Sequence, residues 1–262
     1  MQEFICSGKT LPEAYHNALL QLKGAPIIPC PAWNTNQKEV SMTMVVEEPL
    51  GEERISRLFY GGPSDLEQYC QEMLDGIMDF EVQAGNWAYT YHSRYANQYQ
   101  FIIDELTRDP WSRRAVMDIR TAEDMENEDP ACWQHAQYFI RDNRLHCKIL
   151  FRSNDACKAA FMNAFALIEL QKRIAGALGI EVGTYTHRAN SFHCYERDFG
   201  LLDSYCHRIM NSVITDKGFS GEDLTYSYED DWAEQMVDAR EEIAAKVADL
   251  KAKCGISEKG DN

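Results

Sequence analysis

The sequence predicts an α+β fold, carried in one domain over residues 1–262. Three observations predict it. With 262 residues, 45% of them hydrophobic and 11% aromatic, the chain can bury a sizeable core and is not a disordered one. Stretches with apolar residues at helical spacing are interspersed with alternating, strand-like stretches. No internal repeat, low-complexity tract or linker divides the chain.

The elements follow in order. LPEAYHNALLQLKG, residues 11–24, has helical spacing and stops at Gly24. IIPCPAWNTN, 27–36, is a proline-containing connection. EVSMTMVVEEPL, 39–50, alternates in part as a strand and ends at Pro49-Leu50-Gly51. SDLEQYCQEMLDGIMDF, 64–80, is a helix with Ser64 as candidate cap. NQYQFIIDELTRDP, 97–110, is a further helix closed by Asp109-Pro110, and RRAVMDIR, 113–120, a strand. HAQYFIRDNRLHCKILFRS, 135–153, is a hairpin, two apolar runs around the polar turn Arg141-Asp142-Asn143. AAFMNAFALIELQKRIAGALGI, 159–180, is the most hydrophobic helix and belongs at the centre. GTYTHRANSFHCYERDF, 183–199, is a strand and loop. WAEQMVDAREEIAAKVADLKAKC, 232–254, is a long charged amphipathic helix, followed by a polar, mobile GISEKGDN.

Charge and cysteine usage narrow the function. The formal net charge is −16, which repels phosphate at long range and argues against a nucleic-acid polymer as partner. A phosphate ligand would need a local cluster of arginines. The nine cysteines are scattered, with no C-x-x-C pair, so a reduced, cytoplasmic protein without disulfide framework or zinc site is expected. No signal peptide is expected at the start, and no apolar run has the length of a membrane span.

The chemistry centres on DPACWQHAQYF, residues 129–139. A nucleophilic cysteine needs thiolate character, which a neighbouring cation helps supply. The predicted hairpin can return Arg152 of FRSND to the level of Cys132. From spacing alone, a core thiol is the commoner reading of a free cysteine. Read in order, the chain then offers Ser112-Arg113-Arg114, Pro130-Ala131-Cys132, Gln137, Phe151-Arg152-Ser153-Asn154-Asp155, Asn163, and Ser191 to Tyr195 with His193.

In that order and approximate spacing the chain resembles the thymidylate synthase family over roughly residues 64–199. The resemblance implies a large mixed, mainly antiparallel sheet covered by helices, packing back to back in a homodimer. It implies C5 methylation of dUMP with 5,10-methylenetetrahydrofolate as one-carbon donor and reductant. Cys132 matches the nucleophile that adds to uracil C6. Arg152 matches the residue that binds the 5′-phosphate and favours the thiolate, a double task suited to a permanently charged fork of donors. Ser153 would add a hydroxyl to the phosphate. Arg113 and Arg114 match a pair that reaches across the dimer to the partner's phosphate, and Gln137 matches a substrate-side glutamine.

Asn163 speaks to the base. An amide can accept from uracil N3–H and donate to O4, and cytosine presents the opposite pattern. His193 and Tyr195 match the pair on the sugar 3′-hydroxyl. Asp155 matches the folate-ring carboxylate, and as a residue it also suits a cap for the apolar helix after it. Glu72 and Tyr91 match groups that organise proton transfer around the base.

Each residue also has a bland reading. Arg113 and Arg114 can be surface charges, Asn163 a satisfied core amide, His193 a core histidine, Glu72 a solvated helix residue, and Tyr91 a packing ring. Three departures from the family pattern stand out: Trp133 where a histidine usually follows the nucleophile, no Arg-Thr-Gly loop near the start, and no apolar closing segment in GISEKGDN. Because both Trp133 and weaker closure would admit water, hydroxymethylation of a pyrimidine nucleotide is the alternative. A nucleotide-binding homologue without catalysis is the third reading.

Overall fold

A computed structural model of the chain describes residues 1–214 and 224–256. Its centre is a seven-stranded mixed sheet. The strands are β1 (Glu3–Gly8), β2 (Ile27–Cys30), β3 (Thr35–Val46), β5 (Val116–Asp118), β6 (Trp133–Arg141), β7 (Arg144–Asp155) and β8 (Glu181–Tyr195). Their order is β1-β3-β8-β7-β6-β5, with β2 on β3. β1–β3 and β7–β8 are parallel; the other pairs are antiparallel. A small second sheet joins β4 (Ile55–Ser56) to β9 (Thr225–Tyr226).

Helices cover one face of the large sheet. They are α1 (Leu11–Lys23), α2 (Pro63–Asp75), α3 (Asp79–Gln83), α4 (Tyr91–Tyr95), α5 (Tyr99–Arg108), α6 (Ala160–Leu178), α7 (Phe199–Ile214) and α8 (Ala233–Lys253). α6 lies on β7 and β8. Its Phe161, Phe165, Leu167, Ile168 and Ile174 are all buried, each contributing about 1.5–3 kcal/mol of hydrophobic stabilisation. α6 ends at Gly179, whose φ of +67° suits a residue without a Cβ. α8 lies along α2. There Ile243 and Val247 join Met78 and Phe80 in a small second cluster, and Arg240 Nε donates to Glu67 Oε1 at 2.6 Å.

The predicted hairpin is β6–β7, closed by Asp142 and Asn143 with φ of +52° and +58°. Two consecutive left-handed residues form the tight turn whose twist matches the strands. Several boundaries differ from the sequence reading. β2 occupies part of the expected connection, because Ile27–Cys30 hydrogen-bond to Thr35–Lys38 despite Pro29. β3 starts earlier, at Thr35, and stops at Val46 before a turn closed by Gly51 N–H on Glu48 O. The helix expected over 64–80 begins at Pro63 with Gly62, not Ser64, as cap. It breaks at Gly76, whose φ is +63°, before the short α3. β1 and α7 were not expected. The end of the polar tail, residues 257–262, lies outside the described residues. No helix among the described residues is long and apolar enough to cross a membrane.

Two buried histidines make stability pH-dependent. His16 and His187 are each 1% exposed, and burial lowers the pKa of both to about 3. Each is neutral when folded and takes a proton near pH 6.5 when unfolded. Below that value the unfolded chain binds more protons, so stability falls as pH falls toward 3. The slope is about 1.4 kcal/mol per pH unit per histidine. Denaturant titrations between pH 7 and 4.5 should show it, and a flat profile would refute it.

Candidate active site

The hairpin register sets the nucleophile candidate opposite the cation. Trp133 pairs with Phe151, and Arg152 N–H donates to Cys132 O at 2.8 Å. Arg152 folds its guanidinium back over the loop ahead of β6: Nε donates to Ala131 O at 3.2 Å and Nη2 to Pro130 O at 2.6 Å. Asp129 Oδ1 lies 3.5 Å from Nη2. Arg152 therefore latches the loop that presents Cys132 as well as lending it charge. Burial pushes the Cys132 thiol up, Arg152 pulls it back, and Asp129 pushes it up again. Burial is the largest of the three, so the thiol sits above its ordinary value.

Trp133 is fully buried, and its indole N–H donates to His135 O at 3.0 Å. It stands edge-on to Tyr91 and Tyr95, with ring centroids 5.6 and 5.8 Å away. It is a wall behind Cys132 with its only donor already used. The Tyr91 hydroxyl accepts from Trp133 N–H at 3.4 Å, and burial with the nearby Cys132 pushes it well above the usual phenol value. Tyr89, 5.9 Å from Tyr91 between ring centroids, is pushed up to about 12 by burial and by Cys132.

The parallel pairing of β7 and β8 gathers the next group. Ser153 sits beside Ser191 and Asp155 beside His193. Ser153 Oγ and His193 Nδ1 are 3.4 Å apart, and the His193 and Tyr195 rings stand 4.8 Å apart. Burial holds His193 below the usual imidazole value, against the pull of Asp155. Asp155 Oδ1 accepts from the backbone N–H groups of Cys157 and Lys158, both at 3.0 Å. It thus caps the turn into α6, the second role the sequence suggested.

Asn163, on the first turn of α6, is 5% exposed and engaged at both amide atoms. Oδ1 accepts from Asn154 Nδ2 at 2.8 Å, and Nδ2 donates to the Tyr69 hydroxyl. Tyr69 and Glu72 are three residues apart on α2 and share a face. Both line a cavity of about 390 Å³ with Tyr60, Met162, Lys158 and Lys246. Glu72 Oε1 accepts from Gln68 Nε2 at 2.8 Å. A larger cavity of about 520 Å³ lies by Arg144, Lys172 and Glu181, at the opposite end of β7 and β8. None of the predicted site residues lines it.

Cys132, Arg152, Ser153, Asp155, His193, Tyr195, Tyr91, Asn163 and Glu72 thus lie in one region. Arg113, Arg114 and Gln137 lie apart. Gln137 Nε2 donates to Arg113 O at 2.8 Å, and Arg114 Nε pairs with Glu105 Oε1 at 2.9 Å. Tyr69, Tyr89 and Lys246 join the region without having been predicted. The i, i+3 spacing of Tyr69 and Glu72 was a signal for Tyr69 alone.

A family model for thymidylate synthase matches residues 67–217, more than half of the chain. A Methanocaldococcus jannaschii relative named "Putative thymidylate synthase" is 36% identical over 155 residues, 55% of this chain and 69% of the relative. A Methanosarcina barkeri relative of the same name is 26% identical over 205 residues, 76% of this chain and 93% of the relative. Among solved structures, thermostable thymidylate synthase A from Bacillus subtilis superposes with a TM-score of 0.60 at 15% identity, over 76% of this chain and 84% of that one. That likeness establishes the fold.

Proposed function

The chain belongs to the thymidylate synthase family, and we propose that it methylates dUMP at C5 with 5,10-methylenetetrahydrofolate. The observation that carries this reading is Cys132 held opposite Arg152 by the β6–β7 register. Cys132, as thiolate, adds to C6 of the uracil ring and makes C5 nucleophilic. The folate, when bound, supplies the one-carbon unit and the hydride that completes the methyl group.

Arg152 and Ser153 hold the 5′-phosphate. Arg152 Nη1 makes no hydrogen bond among the described residues and is the part of the fork offered to an anion. Asn163 reads the base, and His193 with Tyr195 the 3′-hydroxyl. Glu72 and Tyr91 handle the protons around the ring. Asp155 holds the folate ring with Oδ2, the oxygen that does not cap the turn into α6. The cavity beside Glu72 could take such a cofactor: Tyr60, Tyr69 and Met162 offer walls to a flat heterocycle, and its rim carries Asp65, Lys158, which is paired with Asp198 at 2.7 Å, and Lys246, which donates to Gln68 Oε1.

A single domain and a back-to-back homodimer complete the proposal. The helix-free sheet face carries Thr43, Val45, Leu150 and Arg152, which alternate with core-facing Met44 and Phe151, and at its edge the 76%-exposed Ile5. Packed this way, Arg113 and Arg114 of the partner subunit would reach the phosphate beside Arg152, and Gln137 would steady the Arg113 backbone.

The second reading, hydroxymethylation, is favoured by one observation. Trp133 is buried with its donor used, where the family usually has a histidine. The test is product mass from purified chain, dUMP and methylenetetrahydrofolate, with dihydrofolate absorbance followed together. A methylated product with stoichiometric dihydrofolate is expected. A hydroxymethylated product without dihydrofolate would replace the first reading by the second. Tight dUMP binding with no product would refute both and leave a binding homologue.

A further inference from the structure

Behind Asn163 runs a chain of buried polar side chains that the proposed chemistry does not use. The Tyr185 hydroxyl and His187 Nδ1 are 2.9 Å apart, and His187 Nε2 and Asn154 Oδ1 also 2.9 Å. Asn154 Nδ2 donates to Asn163 Oδ1, and Asn163 Nδ2 to the Tyr69 hydroxyl. Asn154, Asn163 and His187 are 4%, 5% and 1% exposed, and Tyr185 is fully buried. Parallel strands β7 and β8 and helices α6 and α2 supply the members, so backbone geometry holds their spacing.

A chain of this kind has a direction. If Nε2 of His187 carries the proton, Asn154 must turn its oxygen to the ring and its NH₂ to Asn163. Asn163 must then turn its own oxygen to Asn154 and its NH₂ to Tyr69. If Nδ1 carries the proton instead, every donor and acceptor along the line reverses. Burial favours a fully satisfied chain of one direction or the other over any mixture, because a mismatch leaves two donors or two acceptors facing each other away from water. His187 is neutral, so it has one N–H and not two.

Tyr69 ends the line at the cavity. Its ring lines the same cavity as Glu72, and the carboxylate is among the charges acting on its hydroxyl. Tyr69 accepting from Asn163 is the arrangement present.

We infer that His187, acting through Asn154, fixes which end of the Asn163 amide donates and which accepts, and so sets the preference for a uracil over a cytosine nucleotide. This rests on the reading of Asn163 as the residue that meets the base. With Asn154 and Tyr69 in place, Asn163 keeps one oxygen lone pair and one amide hydrogen. In the present direction they complement uracil N3–H and O4. Reversed, they complement cytosine N3 and its 4-amino group. His187, Asn154 and Tyr185 are positioning residues in this scheme and touch no substrate.

The experiment has two arms. In the first, ¹⁵N-edited NMR of the wild-type chain reads the His187 tautomer; a proton on Nε2 is expected, and a proton on Nδ1 overturns the inference. In the second, Kd values for dUMP and dCMP are measured by calorimetry for wild type, Tyr185→Phe and His187→Phe. His187 stacks on Phe151 at 4.8 Å, so phenylalanine keeps the ring contact and removes only the polarity. Wild type should favour dUMP by about 100-fold, and the His187→Phe ratio should fall to about 10-fold or less, mainly through a gain in dCMP binding. Tyr185→Phe is the milder variant, should His187→Phe not fold, and should move the ratio the same way. Both affinities falling together at an unchanged ratio overturns the inference while leaving the dUMP reading intact. A wild-type chain that binds neither nucleotide refutes that reading and the inference with it.

Discussion

Cys132→Ser is expected to lower the rate of product formation on the order of 10⁴-fold or more, with dUMP affinity within a few-fold of wild type. In the proposed reaction the two outcomes separate because the thiol makes the covalent bond to the ring, whereas Arg152, Ser153 and His193 hold the nucleotide. Serine keeps the shape but is far less acidic and less nucleophilic than a thiol. Rapid-quench product analysis and calorimetry on the same sample measure both quantities. A variant that retains turnover within 10-fold of wild type would remove Cys132 from the chemistry. It would return the residue to the ordinary state of a half-buried thiol beside a packed tryptophan.

Arg152→Ala has the second largest expected effect, a loss of about 10³-fold in kcat/KM, and Arg152→Lys recovers only a small part of it. Alanine leaves the Pro130 and Ala131 carbonyls without their donors and takes away the cation that pulls the Cys132 thiol down. Lysine restores a charge but not a fork that reaches two carbonyls and a phosphate together. The pH dependence shows which loss dominates. The thiol is above its ordinary value and the thiolate is the reactive form, so kcat/KM rises with pH from neutral into the alkaline range. Without Arg152 the rise moves to higher pH, because the opposing effects of burial and Asp129 remain. An unmoved profile with KM alone increased would mean that Arg152 binds phosphate and does not act on the thiol.

The residues most legible in the sequence were those whose partners lie along one local element. Cys132 and Arg152 come close because a hairpin with an Asp-Asn turn returns the chain, and both runs and the turn can be read off it; the bulge between Trp133 and His135 that brings the two level cannot. α6 was legible because it is apolar nearly all round. Serial pattern does not show what distant segments do to one another. β1 was missed: it is six residues long, alternates only weakly, and exists through parallel pairing with β3 across α1. α7 was missed because the charged turn Glu196–Asp198 that starts it looks like a loop. In the site, Tyr69 and Lys246 come from α2 and α8, whose packing is set by apolar faces with no chemical signature. Asn163 is the satisfied buried amide that one of its two readings suggested, and it touches Tyr69, which lines the cavity.

The turn at Asp142 and Asn143 has a consequence for how this chain can change over evolutionary time. Surface turns ordinarily accept an added or deleted residue more easily than any other part of a fold. Here the length of the turn sets the register from Arg141–Arg144 to His135–Leu150, and a bulge between His135 and Trp133 then pairs Trp133 with Phe151. One extra residue slips the pairing by a step, and a step in a strand sends each side chain to the opposite face. Arg152 would then point away from Cys132 with the turn itself undamaged. An exposed site remote from the nucleophile should therefore tolerate substitutions that keep φ positive while resisting changes in length as firmly as the core does.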